Sequence, residues 1–237
     1  MLDLEGLTKN FGGVKAVNAV ELTVKASEVH GLIGPNGAGK TTLINLVSGL
    51  LKATSGTIRL DGTVLNGLNA DRRARLGVGR TFQNLRIFPN LTVGQNVDVA
   101  RSSVADDDGA QALIEAAMER FDLAAKRNLP ADELSYGHMR RLEIVRALAL
   151  RPKILMLDEP AAGMNPAETE DLVSALAWIR ERHPCSILVI DHDLKFIMTA
   201  CDRITVLHMG AVLATGLPED ITKSPEVIAA YLGQAAA

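Results

Sequence analysis

A glycine-rich segment contains the first residues whose types and spacing fit a chemical task. The sequence GLIGPNGAGKTTL contains the pattern G-x-x-x-x-G-K-[ST]. Glycines allow consecutive backbone N–H groups to converge on phosphate oxygens, which a Cβ atom would obstruct. Lys40 adds a point charge, and the Thr41 hydroxyl is a hard oxygen ligand for Mg²⁺. The pattern predicts a nucleotide phosphate site, while a glycine-rich turn between a strand and a helix is the structural alternative. The residues expected to contact the nucleotide are Gly34, Asn36, Gly37, Ala38, Gly39, Lys40, Thr41 and Thr42.

Two further segments place side chains suited to phosphate chemistry after apolar runs. In ILMLDEP, Asp158 can hold Mg²⁺ and Glu159 can accept a proton from an attacking water. In SILVIDHD, His192 can bind a γ-phosphate or that water. An acidic turn before a proline and a surface or capping histidine are the structural alternatives. Because ligands of parallel sheets bind at the carboxyl ends of strands, we expect all three residues to meet the glycine-rich segment.

Positioning these residues requires strands that alternate with helices. Continuous apolar runs at 29–33, 154–157 and 186–190 predict parallel strands covered on both faces, whereas LDLEGL and VELTV alternate like half-buried antiparallel strands. Helical periodicity follows the glycine-rich segment and recurs between Pro166 and His183. These patterns predict an α/β fold.

The stretch from about residue 84 to residue 152 has helical periodicity without a strand signal. QALIEAAMERFDLAAK and MRRLEIVRALAL are amphipathic, and the acidic VADDDGA at 104–110 predicts a loop. We expect a single domain, with a core formed by residues 1–83 and 153–237 and a helical subdomain at about 84–152.

Composition limits the classes of protein to which the chain can belong. The 237 residues are 47% hydrophobic, so we expect a sizeable core. The formal net charge is -3, so we expect no nucleic-acid partner. Cys185 and Cys201 have no metal-ligand spacing and predict two reduced, buried thiols. No stretch approaches the roughly 18 apolar residues of a membrane span, and the first residues lack a secretory signal pattern. We expect a chain that is cytosolic or peripheral to a membrane.

The ordered motifs together resemble the ATP-binding subunits of ABC transporters. The glycine-rich segment, TFQN, LSYGH, ILMLDEP and DHD occur in that family's order and rough spacing, over nearly the whole chain. The resemblance implies a P-loop NTPase core with a mainly parallel sheet, an antiparallel β subdomain and a helical subdomain. It implies ATP hydrolysis with ATP and Mg²⁺ at the cytoplasmic face of the inner membrane. It also implies a head-to-tail dimer with an identical or sister subunit, integral membrane permease partners and, indirectly, a substrate-binding protein.

Further site residues follow from this resemblance alone. Phe11 corresponds to the aromatic residue that stacks on adenine, and Gln83 to the glutamine that joins Mg²⁺ to the transporter interface. Ser135 and Gly137 correspond to signature residues that contact the γ-phosphate of the opposite subunit. Ser135 is also a good helix N-cap, so the segment has a structural alternative. The signature has His138 where the family usually has glutamine.

Other departures from the common pattern narrow the resemblance to the ATP-binding subunits of branched-chain amino acid importers. These are Tyr136 in the signature, Asn165 before Pro166, the segment GRTFQNLRIFPNLTVGQNV and the ending GAVLATGLPEDITKSPEVIAAYLG. Importers of urea or amides are the alternative within transport. A soluble ABC-type ATPase of nucleic-acid repair or translation is the alternative outside transport, and a non-catalytic nucleotide sensor would be expected to lack Glu159.

Two segments have equally plain structural interpretations. LRIFPNLTV at 85–93 fits a groove for a membrane-subunit helix or the core of the helical subdomain, and the exposure of Phe88 distinguishes the two. Near the C-terminus, Ser224 as N-cap, Pro225 in the first turn and Gly233 after the last turn predict a short helix.

Overall fold

The computed structural model describes residues 1–103 and 108–232, and its strands form two sheets. The strands are β1 (Leu2–Phe11), β2 (Val14–Val24), β3 (Val29–Ile33), β4 (Ser55–Leu60), β5 (Thr63–Val64), β6 (Val78–Arg80), β7 (Ile154–Asp158), β8 (Ser186–Ile190), β9 (Arg203–His208) and β10 (Ala211–Gly216). One sheet is antiparallel, in the order β2-β1-β4-β5. The other has the order β10-β9-β3-β8-β7-β6 and is parallel except for the pair β9 and β10.

The central strands confirm the prediction of parallel strands covered on both faces. Every residue of β3, β7 and β8 is buried. LDLEGL and VELTV lie in β1 and β2, which pair antiparallel as predicted. The sequence patterns do not predict β4, β5, β6, β9 or β10. Strands β5 and β6 are only two and three residues long, and β4 and β10 have mixed burial and weak periodicity. Strand β9 has a continuous buried run at 204–207 that sequence reasoning missed.

The helices surround the sheets, and several of them begin after a residue whose side chain caps them. The helices are α1 (Lys40–Val47), α2 (Ala70–Arg75), α3 (Val93–Arg101), α4 (Asp108–Arg120), α5 (Tyr136–Ala149), α6 (Pro166–Arg182), α7 (Leu194–Ala200), α8 (Pro218–Lys223) and α9 (Pro225–Leu232). Ser135 caps α5 as predicted. Asn165 and Glu168 cap α6 reciprocally, since each side chain accepts the other residue's backbone N–H. The Ser224 Oγ accepts the Val227 N–H at 3.4 Å, as predicted for α9.

Two predictions around α4 need correction. The helix predicted for QALIEAAMERFDLAAK ends at Arg120, because Asp122 turns the chain with a φ of 56° and residues 124–126 form a 3₁₀ turn. The predicted loop at 104–110 is wrong at residues 108–110, which begin α4, where Ala110 is buried in the core. Residues 104–107 and the predicted Gly233 lie outside the described residues.

Within the described part of residues 84–152, helices occur without a strand, as the periodicity predicts. Helices α3 and α4 pack against α5. The buried Asn96 of α3 fixes the preceding segment, since its Oδ1 accepts the Phe88 N–H at 2.8 Å and its Nδ2 donates to the Phe88 carbonyl at 2.9 Å. This pair of bonds holds residues 85–92 in a defined conformation beside α5.

The core lies on both faces of the parallel sheet. Along β7, Leu155 and Leu157 pack with α5 and α6, whereas Ile154 and Met156 pack with α1 and the antiparallel sheet. Cys185 and Cys201 are free and buried as predicted. Burial raises the pKa of each thiol to about 12. In the described residues, no helix combines the length and hydropathy that a membrane span requires.

Candidate functional site

The glycine-rich segment forms the loop between β3 and α1, and two of its glycines are required by close backbone contacts. A Cβ atom on Gly34 would lie 2.2 Å from the Leu207 carbonyl oxygen, and one on Gly39 would lie 2.4 Å from the Ala16 carbonyl oxygen. Both residues also have positive φ angles, of 151° and 104°. Only glycine therefore permits this loop to pack between β2 and β9.

Helix α1 begins directly after the loop, and no side chain caps its first N–H groups. Such groups and the partial positive charge of a helix N-terminus form a general binding site for phosphate. Lys40 folds back over the loop, where its Nζ donates to the carbonyls of Gly34 and Pro35, the latter at 2.9 Å. Burial lowers the pKa of Lys40, against the opposing effect of the Glu159 and Asp158 carboxylates.

A cavity of about 300 Å³ brings most of the predicted site residues together. The predicted residues that line it are Asn36, Gly37, Ala38, Gly39, Lys40, Thr41, Thr42, Gln83, Asp158 and Glu159. Ala16 of β2 and Ile190 of β8 complete the wall and were not predicted from the sequence. The carboxyl ends of β7 and β8 thus meet the loop after β3, as expected for a parallel sheet.

Asp158, the last residue of β7, is buried and forms an ion pair that sequence reasoning missed. Its Oδ2 lies 3.1 Å from Nη2 of Arg80, the last residue of β6. Nη1 of Arg80 donates to the Asn45 Oδ1 at 2.6 Å and to the Ser48 Oγ at 3.0 Å. Burial raises the pKa of Asp158, and Arg80 opposes that effect. Arg80 therefore links the carboxylate to the far end of α1.

Glu159 follows Asp158 in a backbone conformation that L-residues rarely adopt, with a φ of 50°. Its N–H donates to the Ile190 carbonyl at 2.7 Å, which anchors this residue to the end of β8. The Gln83 Nε2 donates to the Glu159 Oε2 at 2.9 Å. Strained backbone at a cavity wall is typical of functional residues whose surroundings fix their geometry.

The chemistry of the cavity fits a magnesium ion. The Thr41 hydroxyl, the Gln83 amide oxygen and the Asp158 carboxylate line one space, and all three offer the hard oxygen ligands that Mg²⁺ prefers. Across residues 1–103 and 108–232, no cluster of three His, Cys, Asp or Glu side chains offers a metal site. Thr41, Gln83 and Asp158 are therefore the residues that could hold the ion at this cavity.

Five predicted residues do not line this cavity. Gly34 lies in the loop but outside the cavity wall, and its carbonyl accepts a hydrogen bond from Lys40. His192 follows β8, but its side chain is 72% exposed. Phe11 ends β1 on the hairpin that also contributes Ala16 to the cavity wall, and Lys9 covers its ring at 5.0 Å. Ser135 and Gly137 lie at the start of α5, outside the cavity of their own chain. The roles predicted for His192, Phe11, Ser135 and Gly137 remain predictions.

Comparison with known proteins agrees with the arrangement of these elements. Residues 17–162 match the family described as ABC transporter. The chain belongs to this family. As an ABC transporter ATPase, it has the predicted α/β fold, with a P-loop NTPase core.

Relatives and solved structures of the family cover almost the full chain. The high-affinity branched-chain amino acid transport ATP-binding protein BraF of Pseudomonas aeruginosa is 44% identical, over 99% of this chain and 98% of its own length. Residues 211–237 match the description "branched-chain amino acid ATP-binding cassette transporter". The ADP conformation of an ATP-binding cassette of an ABC transporter superposes with a TM-score of 0.88, at 28% identity and 98% coverage of both chains.

A dimeric ATP-binding cassette bound to ADP and Pi, in a post-hydrolysis state, is also similar to this ABC ATPase. Its TM-score is 0.80 at 26% identity, covering 92% of this chain and 99% of that one. The fold is therefore shared with proteins whose structures contain hydrolysis products and a second subunit.

Proposed function

We propose that this chain binds ATP with Mg²⁺ and hydrolyses it to power the import of branched-chain amino acids through a membrane permease. The observation that carries the proposal is the single cavity shared by the glycine-rich loop, Asp158 and Glu159. The substrate class rests on BraF, which is named for branched-chain amino acid transport, and on the matching C-terminal segment.

Phosphate binding follows from the loop and from Lys40. The uncapped N–H groups of α1 and the loop supply donors to the β- and γ-phosphates. Lys40 exchanges the Gly34 and Pro35 carbonyls for phosphate oxygens, which are stronger acceptors for an ammonium group. We assign Phe11 to a stacking contact with the adenine ring, because the hairpin that carries Phe11 borders the cavity through Ala16.

Hydrolysis requires a base beside the γ-phosphate, and we assign that role to Glu159. Its carboxylate orients the attacking water and accepts a proton from it, after exchanging the hydrogen bond from Gln83. Thr41, Gln83 and Asp158 would hold Mg²⁺, which when bound would supply positive charge to the phosphate oxygens. We assign His192 to the γ-phosphate side of the site, where its exposed imidazole can bind phosphate or the water.

The remaining signature residues require a second subunit. Ser135 and Gly137 lie outside their own cavity, and Ser135 begins α5, whose N-terminus favours an anion. We infer that these residues complete the ATP site of the opposite subunit in a head-to-tail dimer, either identical or a sister chain. The dimeric cassette bound to ADP and Pi is consistent with such an arrangement.

A larger cavity of about 580 Å³ fits a helix of the permease. It lies between the segment after β6 and helix α5, and Phe88 at its wall is 43% exposed. Arg146 covers the Phe88 ring at 4.8 Å, and Arg86 covers the Phe82 ring at 4.6 Å. The exposure of Phe88 favours the docking groove over subdomain core for LRIFPNLTV. The wall of this larger cavity is formed by Arg80, Phe82, Arg86, Ile87, Phe88, Ala100, Glu143, Arg146, Ala147 and Leu150.

Docking at this groove would hold the chain at the cytoplasmic face of the inner membrane as a peripheral subunit, with a substrate-binding protein delivering the amino acid. Phe88→Ser should reduce co-purification with the membrane subunits while the isolated chain keeps its ATPase rate. Leu217→Ser, another exposed apolar position at 46%, is the matched control and should co-purify normally. Identifying the captured membrane subunits tests the substrate class, and unchanged capture of the Phe88 variant would contradict the groove.

Replacement of the base tests the hydrolytic role directly. Glu159→Gln should keep ATP binding and slow hydrolysis by ~10² or more, the usual effect of losing a general base. Because ATP then persists, the variant should accumulate as an ATP-bound dimer. Glu170→Gln removes an exposed carboxylate of α6 and should hydrolyse ATP normally. A Glu159→Gln chain with the parental rate would show that another group is the base.

A further inference from the structure

The signature serine lies at the end of a chain of three side chains. The Ser135 Oγ lies 2.7 Å from Nδ1 of His138, and Nε2 of His138 lies 3.1 Å from Oδ2 of Asp122. His138 occupies the position where the family usually has glutamine, and Asp122 lies in the turn after α4. The contacts therefore join the start of α5 to the turn that follows α4.

Hydrogen-bond roles along this chain follow from Asp122. A carboxylate only accepts hydrogen bonds, and the bond to His138, with a further bond to Lys126, lowers the pKa of Asp122. Nε2 of His138 must therefore carry a hydrogen. In the neutral imidazole Nδ1 is then an acceptor, so the Ser135 hydroxyl donates its only hydrogen to Nδ1.

This polarity conflicts with binding to phosphate. Phosphate oxygens accept hydrogen bonds, so a serine that contacts them must donate. Ser135 Oγ already donates to His138 and accepts the His138 backbone N–H at 3.4 Å. When the imidazole is protonated on both nitrogens, Nδ1–H becomes the donor to Oγ, and the hydroxyl hydrogen becomes free to bind phosphate.

We propose that His138 is a positioning residue that sets which partner the Ser135 hydroxyl donates to, so that protonation of His138 prepares Ser135 for the partner subunit's γ-phosphate. The proposal rests on the composite ATP site proposed above. The protonated imidazole also adds positive charge at the start of α5, beside the expected phosphate.

Charged groups near His138 lie on α4, on the 3₁₀ turn at 124–126, on α5 and on α6, and most of these groups are already paired. Lys126 bonds the same carboxylate as His138 at 3.0 Å. Arg141 on α5 and Arg120 on α4 both pair with Asp171 of α6, at 3.1 Å and 2.9 Å. Glu168 of α6 lies 3.6 Å from the Cβ position of Gly137 and is engaged in capping Asn165. The charged groups around the array are Asp122, Lys126, Arg120, Arg141, Glu168 and Asp171.

The pH dependence of ATP-driven dimerisation tests the proposal. In a Glu159→Gln background with MgATP, we expect the association constant of the dimer to be higher at about pH 6 than at about pH 8. The expected increase is about fivefold or more, because imidazole gains charge over this range. His138→Gln is the matched control, because an amide keeps a polar group of similar length that does not titrate. Its dimerisation constant should vary much less over the same range, and an equal pH profile in both chains would overturn the proposal.

Nitrogen NMR of the His138 ring provides a readout that does not depend on dimerisation. In the nucleotide-free chain above pH 8, we expect a hydrogen on Nε2 and none on Nδ1. Asp122→Ala should lose this preference, since it removes the acceptor. A hydrogen on Nδ1 in the parental chain would overturn the positioning role while leaving the proposed ATPase function intact. Absence of ATP-driven dimers at every pH, in both chains, would instead overturn the composite site and the positioning role that rests on it.

Discussion

Arg80 and Asp158 form a buried ion pair, with 3.1 Å between Nη2 and Oδ2 and side chains that are only 7% and 6% exposed. The pair connects the last residues of two neighbouring parallel strands. Since Arg80 also donates to Asn45 of α1, it fixes the expected Mg²⁺ ligand relative to the helix that begins at the phosphate loop. The position of Asp158 thus depends on a cation outside the cavity.

Arg80→Met should destabilise the chain in a way that depends on pH. Loss of the guanidinium leaves Asp158 buried and unpaired, a change that typically costs about 3–5 kcal/mol when the carboxylate is charged. The pKa of Asp158, already raised by burial, should rise further. A carboxyl whose pKa is higher in the folded state binds more protons when folded, so its effect on stability becomes less favourable as the pH rises through that pKa. The loss of unfolding free energy, measured with urea, should therefore be larger at pH 8 than at pH 5.

Arg86→Met is the matched control for this variant. Arg80 and Arg86 both cover the Phe82 ring, at 4.7 Å and 4.6 Å, but Arg86 is exposed and forms no ion pair with Asp158. Its effect on stability should be small and similar at both pH values. An Arg80→Met defect of equal size at pH 5 and pH 8 would contradict a role for Arg80 in compensating the Asp158 charge.

The phosphate cavity was predictable because its parts are local in sequence. A buried strand, a glycine-rich loop and a helix start define the loop within a dozen residues, and Asp158 and Glu159 follow another buried strand directly. Parallel strands then place both segments at one edge of the sheet. Gln83 lacks such a local signal, and only the family resemblance predicts its role at the Mg²⁺ site.

The residues that sequence reasoning missed depend on contacts between distant segments. Arg80 lies in a three-residue strand, and its role appears only when β6 pairs with β7. Asp122 was placed inside a predicted helix, although its turn is what brings the carboxylate to His138. Periodicity reports which face of an element is buried, but not which polar side chains meet across elements.

Lys40→Ala should abolish useful ATP affinity. Lys40 is the only cation among the described residues that line the phosphate cavity, and its bonds to loop carbonyls leave it poised beside the phosphate position. Titration with a fluorescent ATP analogue measures the loss. Lys195→Ala, at an exposed position of α7, should bind normally. Unchanged affinity in the Lys40 variant would refute the phosphate assignment.

Phe11→Ala should weaken ATP binding modestly, by about 1 kcal/mol if the ring stacks on adenine as aromatic pairs do. Turnover at saturating ATP should be nearly unchanged, because stacking contributes to the ground state and the transition state alike. Phe88→Ala removes another exposed ring, from the larger cavity, and should leave ATP affinity unchanged. Both the parental chain and the Phe11 variant should bind ATP and GTP equally, since a ring face reads no base edge. Strong adenine selectivity traced to Phe11 would contradict the assignment.

Mixed dimers test whether the signature of one subunit completes the ATP site of the other. Ser135→Arg places bulk and charge at the partner's site and leaves its own loop intact, whereas Lys40→Ala damages its own site alone. In a dimer with one chain of each kind, both defects fall on the same composite site, and the second site is intact. Each single-variant homodimer has two damaged sites. The mixed dimer should therefore hydrolyse ATP at a measurable rate that neither parent reaches.

Photocrosslinking gives the sharper test of this arrangement, because it does not require that one intact site turn over alone. In a dimer of Glu159→Gln chains, one subunit carries a mass label so that its peptides can be distinguished. A photoreactive ATP bound by the phosphate loop of one subunit should label a peptide containing Ser135 from the other subunit, since Ser135 and Gly137 lie outside the cavity of their own chain. Ser135→Arg is then added to the subunit that carries the mass label. The crosslink to the signature peptide of that subunit should disappear. The crosslink to the signature peptide of the other subunit should remain, and it serves as the internal control. Labelling confined to peptides of the chain whose loop binds the nucleotide would exclude the composite site.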